Sequence, residues 1–201
     1  MTEPRQVRAF VAVPRDRMWI ESAAGLMQRL KERLPEASWT RPESWHITIK
    51  FLGHVPPEIL QPLAASLAPA AREIVPGDVT RGGAIVFPPR GAARVLGAGF
   101  APSPALESLA AFAREVETRA EAFGVEREKR EFHAHVTLAR LRRPWSERDV
   151  ESFRTEVGAW PLPDWPLRSG VLYESRLLPE GAVHVPLAEW TFSGGPAGVR
   201  A

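Results

Sequence analysis

Cysteine is missing from the chain altogether and lysine nearly so, with Lys31, Lys50 and Lys129 its only three representatives. Without cysteine there is no disulfide framework and no thiolate zinc site, which suits a reducing compartment. No apolar run is long enough to cross a membrane. The opening MTEPRQVRAFVAV carries Glu3, and its apolar stretch is broken by Arg8 and too short for an export signal, so a cytoplasmic protein is expected. The lysine deficit is made up by 23 arginines, for a net charge of only +2. Arginine favours bidentate phosphate contacts, but the many alanines and prolines trace the enrichment equally to genome composition. A nucleic-acid partner is permitted by this balance and not required by it. Apolar residues at 44% and charged residues at 25% of 201 describe an ordinary globule, long enough for one domain or two small lobes.

What is present is a repeated pattern. In WHITIKFLG, residues 45–53, His46 and Thr48 sit two apart in an otherwise apolar, strand-like run. Residues i and i+2 of a strand share a face, and at ~3.3 Å of rise per residue their Cα atoms lie about 7 Å apart. Ile47, Ile49 and Phe51 then point the other way. Alone, such a run also fits an edge strand showing a histidine and a threonine to water. In FHAHVTLAR, residues 132–140, His135 and Thr137 repeat the pattern at a distance of 135 − 46 = 89 residues, close to half the chain. That spacing is what a duplicated unit gives.

The remaining pattern supplies similar elements to both halves. Residues 6–13 alternate up to Pro14 and read as a strand. Between Asp16 and Leu34, Ile20, Ala23, Met27 and Leu30 keep helical spacing, with Pro35 as a stop. After the first His-x-Thr strand, Pro56-Pro57 leads into a helix through Leu60, Leu63 and Leu67, and residues 79–87 and 92–99 flank PPRGA as a hairpin. Ser103-Pro104 opens a helix closed by Gly124. The second His-x-Thr strand precedes a helix from Ser146 to Val157, opened by the capping-box pair Ser146 and Asp149, and two strands at 168–177 and 182–189. No linker divides the chain. This order predicts an α+β fold: one bilobal, duplicated domain over residues 1–190, with two antiparallel sheets facing a central cleft, helices outside, and a flexible tail at 191–201.

Two imidazoles and two hydroxyls converging across such a cleft suit an anionic phosphodiester. One histidine near neutrality acts as a base while the other, protonated, acts as an acid. In-line displacement at phosphorus needs that help at opposite ends, and threonine hydroxyls donate to the non-bridging oxygens. Arg140 lies five residues past His135, an offset that places it on the opposite face of an ideal strand unless the strand twists or bulges.

Taken together, RAFVAVPRD, WHITIKFLG, FPPRGAARVLGAG, FHAHVTLAR and VLYESRLLPEGAVHVPLAEW resemble the two-histidine (2H) phosphoesterase superfamily. Within it the likeness is to the LigT-like RNA 2',3'-cyclic phosphodiesterases, formerly called 2'-5' RNA ligases. The resemblance implies a bilobal fold and hydrolysis of 2',3'-cyclic phosphate RNA ends to 2'-phosphates, with possible reversal as 2'-5' ligation. It also implies His46 and His135 as acid and base, and Thr48, Thr137 and Arg140 as phosphate-binding groups. RNA ends or cyclic nucleotides are the implied partners, with no cofactor and no membrane or obligatory protein partner. Two departures touch the motifs: Ala134 stands where relatives usually have proline, and Gly97 where the middle motif often has tryptophan.

Two other readings use the same residues. His133 and His135 with His46, and Glu131 nearby, make a candidate metal site, although no carboxylate sits at a motif position and the threonines would be idle. A noncatalytic RNA-end binder would stack a base on Phe10, Trp45 or Phe132, rings that equally suit the core. Trp160 and Trp165 are ambiguous in the same way. His54 and His184 match no motif and are expected at the surface.

Overall fold

The computed structural model describes residues 5–179 and 181–195. In chain order its elements are β1 (Val7–Val13), α1 (Arg17–Arg33), β2 (Ser38–Trp39), β3 (Ile47–Val55), α2 (Leu60–Glu73), β4 (Gly77–Val79) and β5 (Arg81–Phe87). The second half continues with β6 (Val95–Phe100), α3 (Pro104–Ala122), β7 (His135–Arg140), α4 (Glu147–Ala159), β8 (Trp165–Leu167), β9 (Ser169–Leu178) and β10 (Gly181–Thr191). Helix boundaries follow their caps. The Asp16 carboxylate accepts from the Trp19 amide at 2.8 Å, and the Ser103 and Ser146 hydroxyls accept from the Leu106 and Asp149 amides, each at 3.2 Å. Gly124, at φ +82°, ends α3 in a conformation that glycine adopts without strain. No helix among the described residues is long and apolar enough to cross a membrane.

The antiparallel strands run β10-β9-β1-β3-β7-β6-β5, with β2 paired to β7 and β4 paired to β8 in a separate two-stranded sheet. The two expected sheets are thus the two ends of one hydrogen-bonded path, joined where Ile47 of β3 pairs with Val136 of β7. The order is symmetric about that seam. β6 starts 95 − 7 = 88 residues after β1, β7 starts 135 − 47 = 88 after β3, and β9 starts 169 − 81 = 88 after β5. The repeat seen in the motifs therefore extends through the fold.

Helices pack on one face, where Trp19, Leu26, Leu63, Leu67, Phe112 and Phe153 meet inward residues of the sheet. Their assignment to the halves is crossed. α1 leaves β1 but packs with α4, which covers β5, whereas α3 leaves β6 but packs with α2 and onto β3. Trp165 is fully buried against Trp19, and the Trp160 indole donates to the Ser22 carbonyl of α1 at 3.0 Å, so both tryptophans are packing groups.

The expected loose tail needs correction in its first part. Thr191 belongs to β10, Phe192 is buried, and the Ser193 hydroxyl and Gly194 amide donate to the Arg72 and Ile74 carbonyls at 2.9 Å. These residues cap the end of α2 with partners for its free carbonyls. Residues 196–201 lie outside the described residues.

Candidate active site

At the seam, β3 sends Ile47 and Ile49 into the core and β7 sends Val136 and Leu138. His46, Thr48, His135 and Thr137 consequently face away from the helices and are half-buried. Because the Ile47–Val136 pair is antiparallel, its register sets His46 towards Thr137 and Thr48 towards His135. Both motifs thus look into one volume.

Each imidazole is oriented the same way. The Nδ1–H of His46 donates to the Ser44 carbonyl and that of His135 to the His133 carbonyl, both at 2.7 Å. A carbonyl can only accept, so Nδ1 carries the hydrogen and Nε2 is left to the cleft. The Ser44 carbonyl is held by a 3₁₀ turn over Pro42–Ser44, and Trp45 anchors that turn. The Trp45 indole donates to Thr40 Oγ1 at 2.8 Å, and this hydroxyl donates on to the Thr137 carbonyl at 2.8 Å. One threonine therefore ties the first motif's turn to the second motif's strand.

Burial lowers the pKa of His46 to about 4, against the raising effect of the Ser44 carbonyl, and the charges of His184, His135 and Arg140 add to the depression. Burial also lowers His135, opposed by the His133 carbonyl and assisted by Arg140 and His133. The guanidinium of Arg140 thus acts on both rings. It does so because β7 bulges: Gly97 pairs with Thr137 but Leu96 pairs with Ala139. Leu138 and Ala139 both turn into the core, and Arg140 returns to the histidine face.

The same device operates in β3 and corrects the expected direction of Phe51. Ala12 pairs with Thr48 but Val11 with Lys50. Ile49 and Lys50 both turn inward, and Phe51 returns to the cleft face, 53% exposed and 5.9 Å from the Phe10 ring. Phe51 follows His46 by five residues, as Arg140 follows His135. Comparing the two motifs beyond their fourth residue is the signal that finds it.

Other aromatic assignments change as well. Phe10 and Trp45 are each 2% exposed and offer no open ring to a base, and Phe132 packs against the core. Phe10 instead floors the site, with its ring 4.8 Å from those of both His46 and His184. Phe87 lies 5.1 Å from His135 on the other side. His184, expected at the surface, is half-buried with its ring 5.0 Å from that of His46. No motif marks it; β10 reaches the site only through the sheet order. His54 is exposed. Among the described residues no three histidine, aspartate or glutamate side chains are grouped to hold a metal ion, so the His46, His133, His135 and Glu131 set is not assembled here.

Comparison with known proteins places this geometry in a family. A curated RNA 2',3'-cyclic phosphodiesterase of Geobacillus stearothermophilus is 30% identical over 131 residues, covering 65% of this chain but 41% of that protein. One of the same name from Methanothermobacter thermautotrophicus is 25% identical over 187 residues, 90% of this chain and 97% of the relative. The chain thus spans less than half of the first relative and nearly all of the second. A crystal structure of a Thermus thermophilus protein superposes with a TM-score of 0.67 at 27% identity, over 93% of this chain and 98% of that one. The LigT-like phosphoesterase model matches residues 19–96 and 100–184, both motif strands included, and the chain belongs to that family.

Proposed function

We propose that this protein hydrolyses RNA 2',3'-cyclic phosphate ends to 2'-phosphomonoesters by acid–base catalysis between His46 and His135, without a cofactor. The observation that carries the reading is the matched pair of imidazoles, each with Nδ1 on the carbonyl two residues upstream and Nε2 free, set across the seam under one guanidinium. A cyclic phosphate between them has water on one side and O3' on the other. One Nε2 takes the proton of the attacking water as its oxygen bonds to phosphorus. The P–O3' bond breaks, and the other ring, protonated, gives its proton to O3'. The products are a 3'-hydroxyl and a 2'-phosphate. With a 5'-hydroxyl in place of water, the same displacement yields a 2',5'-linked strand.

On this reading Thr48 and Thr137 donate to the non-bridging oxygens, and Arg140 offsets their charge. Phe51, open on the cleft face, supplies an aromatic surface for the terminal base.

The test is a short RNA with a 2',3'-cyclic end, incubated in EDTA with wild type, His46→Ala and His135→Ala, with the product identified. Conversion to a 2'-phosphate by wild type, reduced at least 10²-fold in either variant, is expected. Turnover only after metal is added back would favour the imidazole metal site. Tight binding without turnover in either condition would make the protein an RNA-end binder.

A further inference from the structure

The cleft face of the first half-sheet continues outward beyond the two motifs. Val7, Ala9, Val11 and Val13 of β1 belong to the core, which leaves Arg8 on the same face as Phe10. Arg8 is paired with His54 of β3 on one side. On the other, its guanidinium donates to the Ser175 hydroxyl of β9 at 3.0 Å, and Ser175 is paired with His184 of β10. The phenyl ring of Phe10 borders His46, Phe51, Tyr173 and His184. A line of cationic and imidazole groups thus leads from the phosphate position, over Phe10, to the rim.

His184 differs from the two motif histidines. They are held by carbonyls, whereas the leading influences on His184 are burial and the charges of Arg8 and Arg15, with no hydrogen bond and no carboxylate among them. Among the described residues, the carboxylate on this face is that of Glu189, which pairs with Val171 and acts on Tyr173 instead. A guanidinium has five N–H donors, and among the described residues Arg8 spends one of them, on Ser175. The rest, with an unheld imidazole beside them, make a receptor for an anion.

We propose that Arg8 and His184, with His54 at the rim, form a second phosphate subsite that takes the internucleotide phosphate immediately 5' of the terminal nucleoside. The inference rests on the reaction proposed above and makes the substrate a strand end rather than a cyclic mononucleotide. The spacing fits. Successive phosphates of one strand advance ~3.4 Å along the axis of a stacked helix and lie farther apart through space, and the subsite starts at the His184 ring, 5.0 Å from that of His46, and continues outward to Arg8. A nucleoside with its cyclic phosphate at His46 and its base on Phe51 then runs its 5' side across Phe10 towards Arg8.

Three substrates read this subsite: a nucleoside 2',3'-cyclic phosphate, the same compound with a 5'-phosphate, and a dinucleotide with a cyclic end. In wild type, kcat/KM should rise about tenfold or more when the 5'-phosphate is added, as expected for a charge-assisted contact, and remain raised in the dinucleotide. In Arg8→Gln and in His184→Leu the ratio between the first two substrates should fall towards one, while Arg114→Gln on the outer face of α3 should keep it. Taking the ratio within each variant cancels any general loss of active protein. A wild type indifferent to the 5'-phosphate overturns the proposal without any variant, as does a gain that survives both substitutions. Product binding reads the subsite without turnover. By calorimetry, a nucleoside 2',5'-bisphosphate should bind wild type about tenfold more tightly than the 2'-monophosphate and lose that margin in Arg8→Gln. If no substrate is hydrolysed and the margin persists, the reaction is wrong and the subsite stands; if the margin is absent, the subsite falls.

Discussion

His46 and His135 are pinned by backbone carbonyls, which favour the charged rings, but burial lowers both, with the charges of His184, His135 and Arg140 adding to the depression at His46 and those of Arg140 and His133 at His135. The proposed reaction requires one neutral ring and one protonated ring. His46 is held to about 4 and His135 below its ordinary 6.5, so the singly protonated pair is populated on the acid side of neutrality. Because kcat/KM reports the free enzyme and kcat the complex, kcat/KM should peak below pH 6.5 and fall as pH rises beyond it. The kcat profile should lie at higher pH, since a bound phosphate anion favours the protonated imidazole. Replacing Arg140 with methionine removes a positive charge that lowers both rings, so both limbs of kcat/KM should move up in pH while kcat falls about 10²-fold. Limbs that stay in place would show that the guanidinium does not control the pair.

At the scale of single elements, the paired bulges in β3 and β7 decide which side chains join the site. Period-two alternation made His46, Thr48, His135 and Thr137 legible from the sequence, and the helix starts were legible at Ser103 and Ser146. A bulge is invisible to alternation because it depends on the partner strand's register, so Phe51 appeared to face inward and Arg140 needed a distortion the sequence does not display. His184 was hidden for another reason: β10 lies three strands from β3, and only sheet order brings them together. The bulge in β3 also turns Lys50 inward, where its Nζ donates to Glu117 of α3 at 2.6 Å and to the Glu126 carbonyl at 2.9 Å. Glu117 in turn accepts from the Glu128 amide, so this pair anchors the segment that delivers His133 and β7. Lys50→Met leaves a carboxylate mostly out of water without its partner and should cost about 3 kcal/mol in urea denaturation at neutral pH. Adding Glu117→Leu should restore most of that stability. It should not restore kcat, because the Glu126 carbonyl and Glu128 amide still lack their partners. Full recovery of kcat in the double variant would make Lys50 a stability residue alone.

Across the whole molecule, duplication supplies two equivalent motifs, whereas the proposed substrate has no two-fold symmetry. The halves resolve the mismatch by diverging after the shared pattern: the first carries Phe51 where the second carries Arg140, and Arg8 and His184 extend the first alone. Such a site works only if the seam is rigid, and its Ile47–Val136 pairing is narrow. The crossed helices supply the missing connection, because α1 and α3 each pack over the half that their preceding strand does not belong to. Neither half can bury its core with its own sequence. Burial of Trp19 illustrates the point: it leaves β1 on α1, yet its ring meets both Trp45 beside β3 and Trp165 of β8 at 5.3 and 5.1 Å. The chain should therefore unfold as one cooperative unit, with tryptophan fluorescence and far-ultraviolet circular dichroism giving coincident urea transitions. A fragment ending at residue 101, which contains one complete copy of the repeat, should remain unfolded by both probes because the strands and α4 that cover α1 are gone. Separate transitions, or a folded fragment, would mean that the lobes are autonomous and that the narrow seam alone aligns the two histidines.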